Sequence, residues 1–122
     1  MRPLDKLVSL ICLAVICGGL AYARNRESLR ETDLNQVFQG INREYFSGEL
    51  SGVSVAWDHL DQERGETRKF SEGDILIVVD QDENTSLADM RKTLEHEACH
   101  VYVDWKEPGE HGPMFQECMK RF

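Results

Sequence analysis

His96-Glu97-Ala98-Cys99-His100 sets two imidazoles and a carboxylate within five residues, and a third imidazole follows at His111 inside Glu110-His111-Gly112-Pro113. On an α-helix, residues four apart lie roughly 40° apart around the axis and one turn along it, so His96 and His100 point the same way. Glu97 is rotated roughly 100° from His96, too far to join the pair easily as a ligand but within reach of a water held beside them. Three histidines and a water are the arrangement of a catalytic zinc (Zn2+) site, where the metal brings the water's pKa to about 7 and the carboxylate takes its proton. Two plainer readings stay open: a coincidental histidine pair on a helix surface, and a bound zinc without turnover. Three histidines also accept other divalent ions.

The residues around the motif supply a helical frame. Ser86 with Asp89 three later forms a capping-box start, and Leu87, Met90, Leu94, Ala98, Val101 and Trp105 fall within a sector about 80° wide when wound at 100° per residue. His96 and His100 project from nearly the opposite side, near Cys99 and Val103. The helix must therefore be covered on two faces, which makes it the expected central helix of the domain. Pro108-Gly109 supplies the chain reversal that would bring His111 back towards it.

The run Thr93-Leu94-Glu95-His96-Glu97-Ala98-Cys99-His100, followed by His111-Gly112-Pro113-Met114-Phe115, resembles the SprT-like family of zincin metalloproteases. Upstream, Leu34, Phe38, Asn42, Tyr45-Phe46, Gly48 and Leu50, then Val53, Val55 and Trp57, resemble the opening helix and first strand of the same domain. Together these segments cover most of residues 33 to 122. The resemblance implies an α+β domain in which His96, His100 and His111 hold zinc and Glu97 is the catalytic residue. The metzincin pattern does not fit, because Val103 and Lys106 stand where it places a glycine and its third histidine. Family members that act on chromatin carry basic surfaces or extra modules. This sequence has no C-x-x-C pair, so DNA-linked proteolysis is not carried over.

Charge points the same way. The net charge of −8 becomes −9 once residues 1–23, with Arg2 and Lys6 against Asp5, are set aside. A surface that acidic argues against binding a phosphate backbone, so nucleic acid is not an expected partner; the protein or peptide substrate expected is what the metalloprotease resemblance implies. The chain length suits one small domain.

The amino terminus reads as membrane targeting. An apolar run from Leu7 to Leu20, broken by Ser9 and Gly18-Gly19, leads to Ala21-Tyr22-Ala23, whose small residues favour cleavage before Arg24. The run is shorter than the 18 or so residues of a comfortable span. Arg24, Arg26 and Arg30 weaken the inference of export orientation, which leaves an uncleaved anchor through residues 7–22 as the alternative. Neither Cys12 nor Cys17 follows a convincing lipoprotein signal. Expected boundaries are a signal peptide or anchor at 1–23, a linker at 24–31 and the domain at 32–122, with a secreted, periplasmic or membrane-anchored location. Export makes a disulfide between Cys99 and Cys118 chemically open, but spacing does not decide it, and two separate small buried residues is the preferred reading. Cysteine is the weakest ligand candidate, since Cys99 points roughly 60° or more away from both histidines of the motif.

Elsewhere, Thr32 is placed to cap a first helix whose Leu34, Val37, Phe38, Ile41 and Tyr45 form one apolar face, with Gly48 to end it. Val53 to Trp57 alternates like a half-buried strand, and Ile75 to Val79 is apolar throughout, like a strand covered on both sides. Glu63 to Phe70 is a weaker strand candidate and Ser71 to Asp74 its turn. The expected fold is α+β: an opening helix, a short antiparallel-type sheet, the central H-E-x-x-H helix and a short C-terminal helix. In such a domain an edge strand could pair with an extended peptide, but the sequence does not say which. Asp80 to Glu83 reads as a solvated acidic loop, His59 as an isolated solvated side chain, and Tyr45, Tyr102 and Arg121 as core or surface residues before transition-state donors. The function expected is zinc-dependent peptide hydrolysis. The alternatives are a non-catalytic zinc-binding interaction module and an amidase on small or cell-wall peptides.

Overall fold

Asp33, not Thr32, begins the first helix. In the computed structural model, which describes residues 29–104 and 106–122, the Thr32 N–H bonds back to Leu29 O at 3.1 Å and so completes a turn. Asp33, extended in backbone, then accepts from the N–H groups of Asn35 and Gln36 at 3.1 and 3.3 Å. Helix α1 runs Leu34–Phe46 and buries Leu34, Phe38, Ile41 and Phe46, while Val37 and Tyr45 are half-buried. The helix ends in two left-handed residues, Ser47 (φ 53°) and Gly48 (φ 73°), and the Gly48 N–H donates to Asn42 O at 3.0 Å. Asn42 is polar yet buried because its amide reads both backbone groups of Leu50, donating to O at 2.9 Å and accepting from N–H at 3.0 Å.

Three strands follow: β1 Val53–Asp58, β2 Gly65–Lys69 and β3 Ile75–Asp80, in the order β1-β3-β2. The central place of β3 explains its unbroken apolar run, and Ile77, Val78 and Val79 are all buried. β1 alternates, with Val55 inside and Ser54 and Ala56 outside. The short antiparallel-type sheet expected is mixed in detail: β2 and β3 form an antiparallel hairpin, and β1 lies parallel to β3, Val53 beside Ile75. Side-chain alternation is the same in both directions, so periodicity could not distinguish them. Ser71 to Asp74 is the hairpin turn, closed by Phe70 N–H to Asp74 O at 2.8 Å, with Gly73 at φ 88°.

Helix α2, Leu87–Val103, is capped by Ser86 Oγ, which accepts from Asp89 N–H at 3.1 Å. The other half of the expected capping box is not made, since the Asp89 carboxylate accepts from Thr85 Oγ1 at 3.2 Å. Met90, Leu94, Ala98 and Val101 are buried as their spacing predicts, but Leu87, in the first residue of the helix, is 62 % exposed and leaves the stripe. Trp105, its last expected member, lies outside the described residues, as does the targeting segment 1–23. Among the described residues no helix is long and apolar enough to cross a membrane. The rest of α2 is covered too, with Thr93 and Glu97 buried along one flank of the stripe and Cys99 and Val103 on the opposite side. This helix contacts α1, β2, β3 and the short helix α3, Pro113–Met119, which makes it central in residues 33–122.

Cys99 of α2 and Cys118 of α3 form a disulfide, with Cα atoms 5.8 Å apart. The preferred reading of two separate buried thiols is corrected here, because only the docking of α3 on α2 brings the two within bonding reach. The link closes a segment that contains both His100 and His111. By restricting the unfolded chain, it is expected to stabilise the domain by about 2–4 kcal/mol. Urea unfolding of Cys118→Ala beside the parent measures this, and a loss below about 0.5 kcal/mol would mean that the link constrains nothing the fold does not already hold.

Candidate metal centre

Helix α2 carries His96 and His100 on one face, and the chain reversal at Gly109 (φ 84°) returns His111 to them. The Nε2 atoms converge: His96 to His100 at 3.2 Å and His96 to His111 at 3.1 Å. Zinc bonded to imidazole at about 2.0–2.1 Å would set the edges of its tetrahedron at about 3.3–3.4 Å, so both separations are close to such an edge, and the three ligand atoms all lie within 4.8 Å of one another. A shared proton could satisfy one pair among them, whereas a divalent cation satisfies all three lone pairs. Phe115 packs under the group, its ring centroid 4.9, 4.6 and 4.7 Å from those of His96, His100 and His111. Burial, then the neighbouring imidazoles, pushes His96 down to about 4. Burial and His111 lower His100 as well, against the opposite pull of Glu110. Neutral imidazole is the form that binds metal. By spacing, donor type and protonation state, these residues fit zinc.

Glu97 is only 5 % exposed and borders the same cleft, of about 500 Å³. Burial pushes its carboxyl up to about 7, with the carboxylates of Glu63, Glu66 and Glu110 adding to the shift, while a hydrogen bond from Thr67 Oγ1 to Oε2 at 2.6 Å opposes it. β2 comes this close to α2 because residue 65 is glycine. A Cβ there would lie 2.6 Å from Thr93 Cγ2 and 3.1 Å from Glu97 Cγ. Asn84 ties the same junction, donating to Arg64 O and Asp80 O, each at 2.9 Å, and accepting from Thr93 Oγ1 at 2.6 Å.

β1 and β2 are the two edges of the sheet, and β2 is the one that forms a wall of the cleft. Arg64 O and Phe70 N–H bond to the β3 side, at Asp80 and Asp74. In an antiparallel ladder the alternate residues Gly65, Thr67 and Lys69 therefore turn their backbone groups outward. Thr67 and Gly65 were not singled out in the sequence. They lie in a polar, weakly patterned segment some thirty residues from Glu97, and no local signal marks them.

Other candidates fall elsewhere. Arg121 stacks over Phe46 and Tyr102, 4.7 and 4.3 Å from the ring centroids, and donates to Tyr45 O at 2.6 Å, so Tyr45, Tyr102 and Arg121 form a packing cluster that does not line the cleft. His59 is exposed but not alone, with Nδ1 3.1 Å from Asp82 Oδ2. Asp80 completes a second group with them, although its oxygens are engaged by the N–H groups of Leu60 at 2.6 Å, Asp82 at 3.0 Å and Glu83 at 2.8 Å. Burial raises the Asp80 pKa but these donors lower it further, leaving it below the ordinary value. Only 1 % exposed, Asp80 organises the loop and is not part of a solvated acidic stretch.

The opposed shifts of Glu97 and His96 set a signed pH dependence in metal-free protein. A raised carboxyl contributes stability below its unfolded value of 4.5 and loses it as pH rises through about 7. A depressed imidazole contributes above its unfolded value of 6.5 and loses it as pH falls towards about 4. Between pH 7 and 5 the two oppose each other. Glu97→Gln leaves the histidines alone to act, so as pH falls from 7 to 5 the variant is expected to lose on the order of 1–2 kcal/mol relative to the parent. Urea unfolding in chelator measures the difference, and a constant offset across the interval would contradict the raised carboxyl.

The SprT-like family model matches residues 34–122, from the first residue of α1 to the end of the described chain. No individually curated protein matches the sequence. The matched span contains every element that builds the histidine cluster and the Glu97 cleft, and the chain belongs to the SprT-like family.

Proposed function

We propose that this protein is a zinc-dependent metallopeptidase that hydrolyses peptide bonds in extended polypeptide. The observation that carries the reading is the meeting, in one cleft, of three converging imidazole nitrogens, a buried carboxyl raised to about 7, and an edge strand with outward backbone groups. His96, His100 and His111 would hold the metal. Zinc bound there supplies a Lewis acid for a carbonyl oxygen and lowers the pKa of water.

Glu97 has the other half of the chemistry. Its carboxyl borders the same cleft as the three histidines, so it can take the attacking water's proton and give it to the leaving amine. Thr67 Oγ1 holds one carboxyl oxygen by its hydrogen bond and leaves the other for the proton. The outward N–H and C=O groups of Gly65 and Thr67 can pair with a peptide backbone, which gives affinity without demanding a particular side chain and lays the chain across the histidines. An exported or membrane-tethered location is part of the proposal. The apolar amino-terminal run and the Cys99–Cys118 link support it, since disulfides persist in oxidising compartments.

The test is hydrolysis of an unfolded protein mixture by the zinc-loaded protein beside its Glu97→Gln variant, read by mass spectrometry of the products. The parent is expected to cleave, and the variant to be slower by about 10²–10⁴-fold while binding zinc in the same ratio. Equal rates would sink the role given to Glu97. Cleavage by neither would favour a zinc-binding module without turnover.

A further inference from the structure

His111 has no regular element of its own. His96 and His100 ride on a helix of 17 residues, whereas His111 stands between the turn at Gly109 and the start of the 7-residue helix α3. That helix has Gly112 as its N-cap, with no side chain to take the first N–H groups. Their acceptor comes from five residues upstream. Glu107 Oε2 accepts from Met114 N–H at 2.9 Å and Oε1 from Phe115 N–H at 3.0 Å. An ionised carboxylate on two N–H groups at a helix start is favoured both by charge-assisted hydrogen bonding and by the helix dipole.

With the carboxylate in this seat there is no room for a side chain at position 112, and one placed there would displace Glu107. A Cβ there would fall 2.7 Å from Glu107 Cδ and 2.8 and 2.9 Å from its two oxygens, closer than carbon and oxygen tolerate. Glu107 thus folds residues 107–115 into a closed loop with His111 inside it. One of the clamped N–H groups belongs to Phe115, whose ring floors all three imidazoles. Gln116 Nε2 adds a long contact to His111 O at 3.4 Å. The path of the third histidine is thus held by this loop on one side and by the docking of α3, with its disulfide, on the other.

We propose that Glu107 is a positioning residue for the metal centre: with Gly112 it forms a carboxylate clamp that holds His111, and Phe115 beneath it, at the spacing the other two histidines require. The inference rests on the ligand set proposed above. Outer partners of metal ligands commonly change affinity by about 10–100-fold when removed, and a clamp acting through His111 should fall in that range.

The experiment is zinc affinity of the full chain, measured by competition with a chromophoric chelator, for Glu107→Ala, Gly112→Ala, His111→Ala and the Glu107→Ala/His111→Ala pair. Far-ultraviolet circular dichroism in chelator establishes that each is folded, and Glu107→Gln replaces the alanine variant if that one is not. Glu107→Ala and Gly112→Ala are each expected to weaken zinc binding by about 10–100-fold. In the His111→Ala background, removal of Glu107 is expected to add less than about twofold, because the residue through which it acts is already gone. An undiminished loss in that background would overturn the proposal, since Glu107 would then serve only the stability of α3. So would wild-type affinity in both single variants alongside a weakened His111→Ala. Wild-type affinity in His111→Ala would instead overturn the ligand set, and the inference with it.

Discussion

Helix α2 has to be buried from two sides while keeping polar, metal-competent side chains on one of them. Its apolar stripe at Met90, Leu94, Ala98 and Val101 faces the core, and Thr93 and Glu97 are enclosed along one flank of it and Cys99 on the far side. Apolar burial of the first kind is favourable in itself. Enclosing Glu97 is not, and an unpaired buried carboxylate would be costly enough to force neutralisation. The protein answers with a hydrogen bond from Thr67 and a pKa raised to about 7, so the constraint that covers the helix also tunes its carboxyl. Gly65 is the steric condition for all of this, since any side chain there would hold the strand away.

Buried polar side chains do much of the work of joining elements. Asn42 fixes Leu50 after α1, Asp80 gathers three N–H groups of the loops around the end of β3, and Asn84 bridges β2, β3 and α2. Each stands where the backbone leaves regular structure and would otherwise have unsatisfied donors or acceptors. Glu107, only half-buried, plays a comparable joining part, and its loop carries a metal-ligand candidate. A small domain with a short sheet and few helices can be held to a defined site geometry in this way without a large core.

The electrostatics of the centre differ from those of the whole chain. A net charge of −8 would tend to raise imidazole pKa values, yet His96 and His100 are lowered, because local desolvation outweighs distant charge screened by water. The acidic residues that do count are those around the cleft: Glu63, Glu66 and Glu110 act on Glu97, and Glu110 also pulls His100 upward without reversing its shift. Local burial, not overall charge, decides the protonation states the chemistry requires.

The sequence by itself determined what depends on short-range geometry. The common direction of His96 and His100 follows from helical pitch, the faces of α1 and α2 from hydrophobic period, and the central place of β3 from its unbroken apolar run. Where a neighbour of similar type competed, the prediction slipped by one position, as with Asp33 for Thr32 as the cap and Phe46 for Tyr45 on the buried face. The resemblance to a family supported His111, already grouped with the other two histidines, as the candidate third ligand and implied an α+β domain around the site. Tertiary structure alone decided the parallel pairing of β1 with β3, the Cys99–Cys118 link, the hydrogen bond of Thr67 to Glu97 and the seat of Glu107 at α3. Strand direction leaves no trace in side-chain alternation, and the other three join side chains to groups whose meeting depends on how the intervening chain turns back. Periodicity reports which way a side chain faces from its own element, and only the packed structure reports what it then meets.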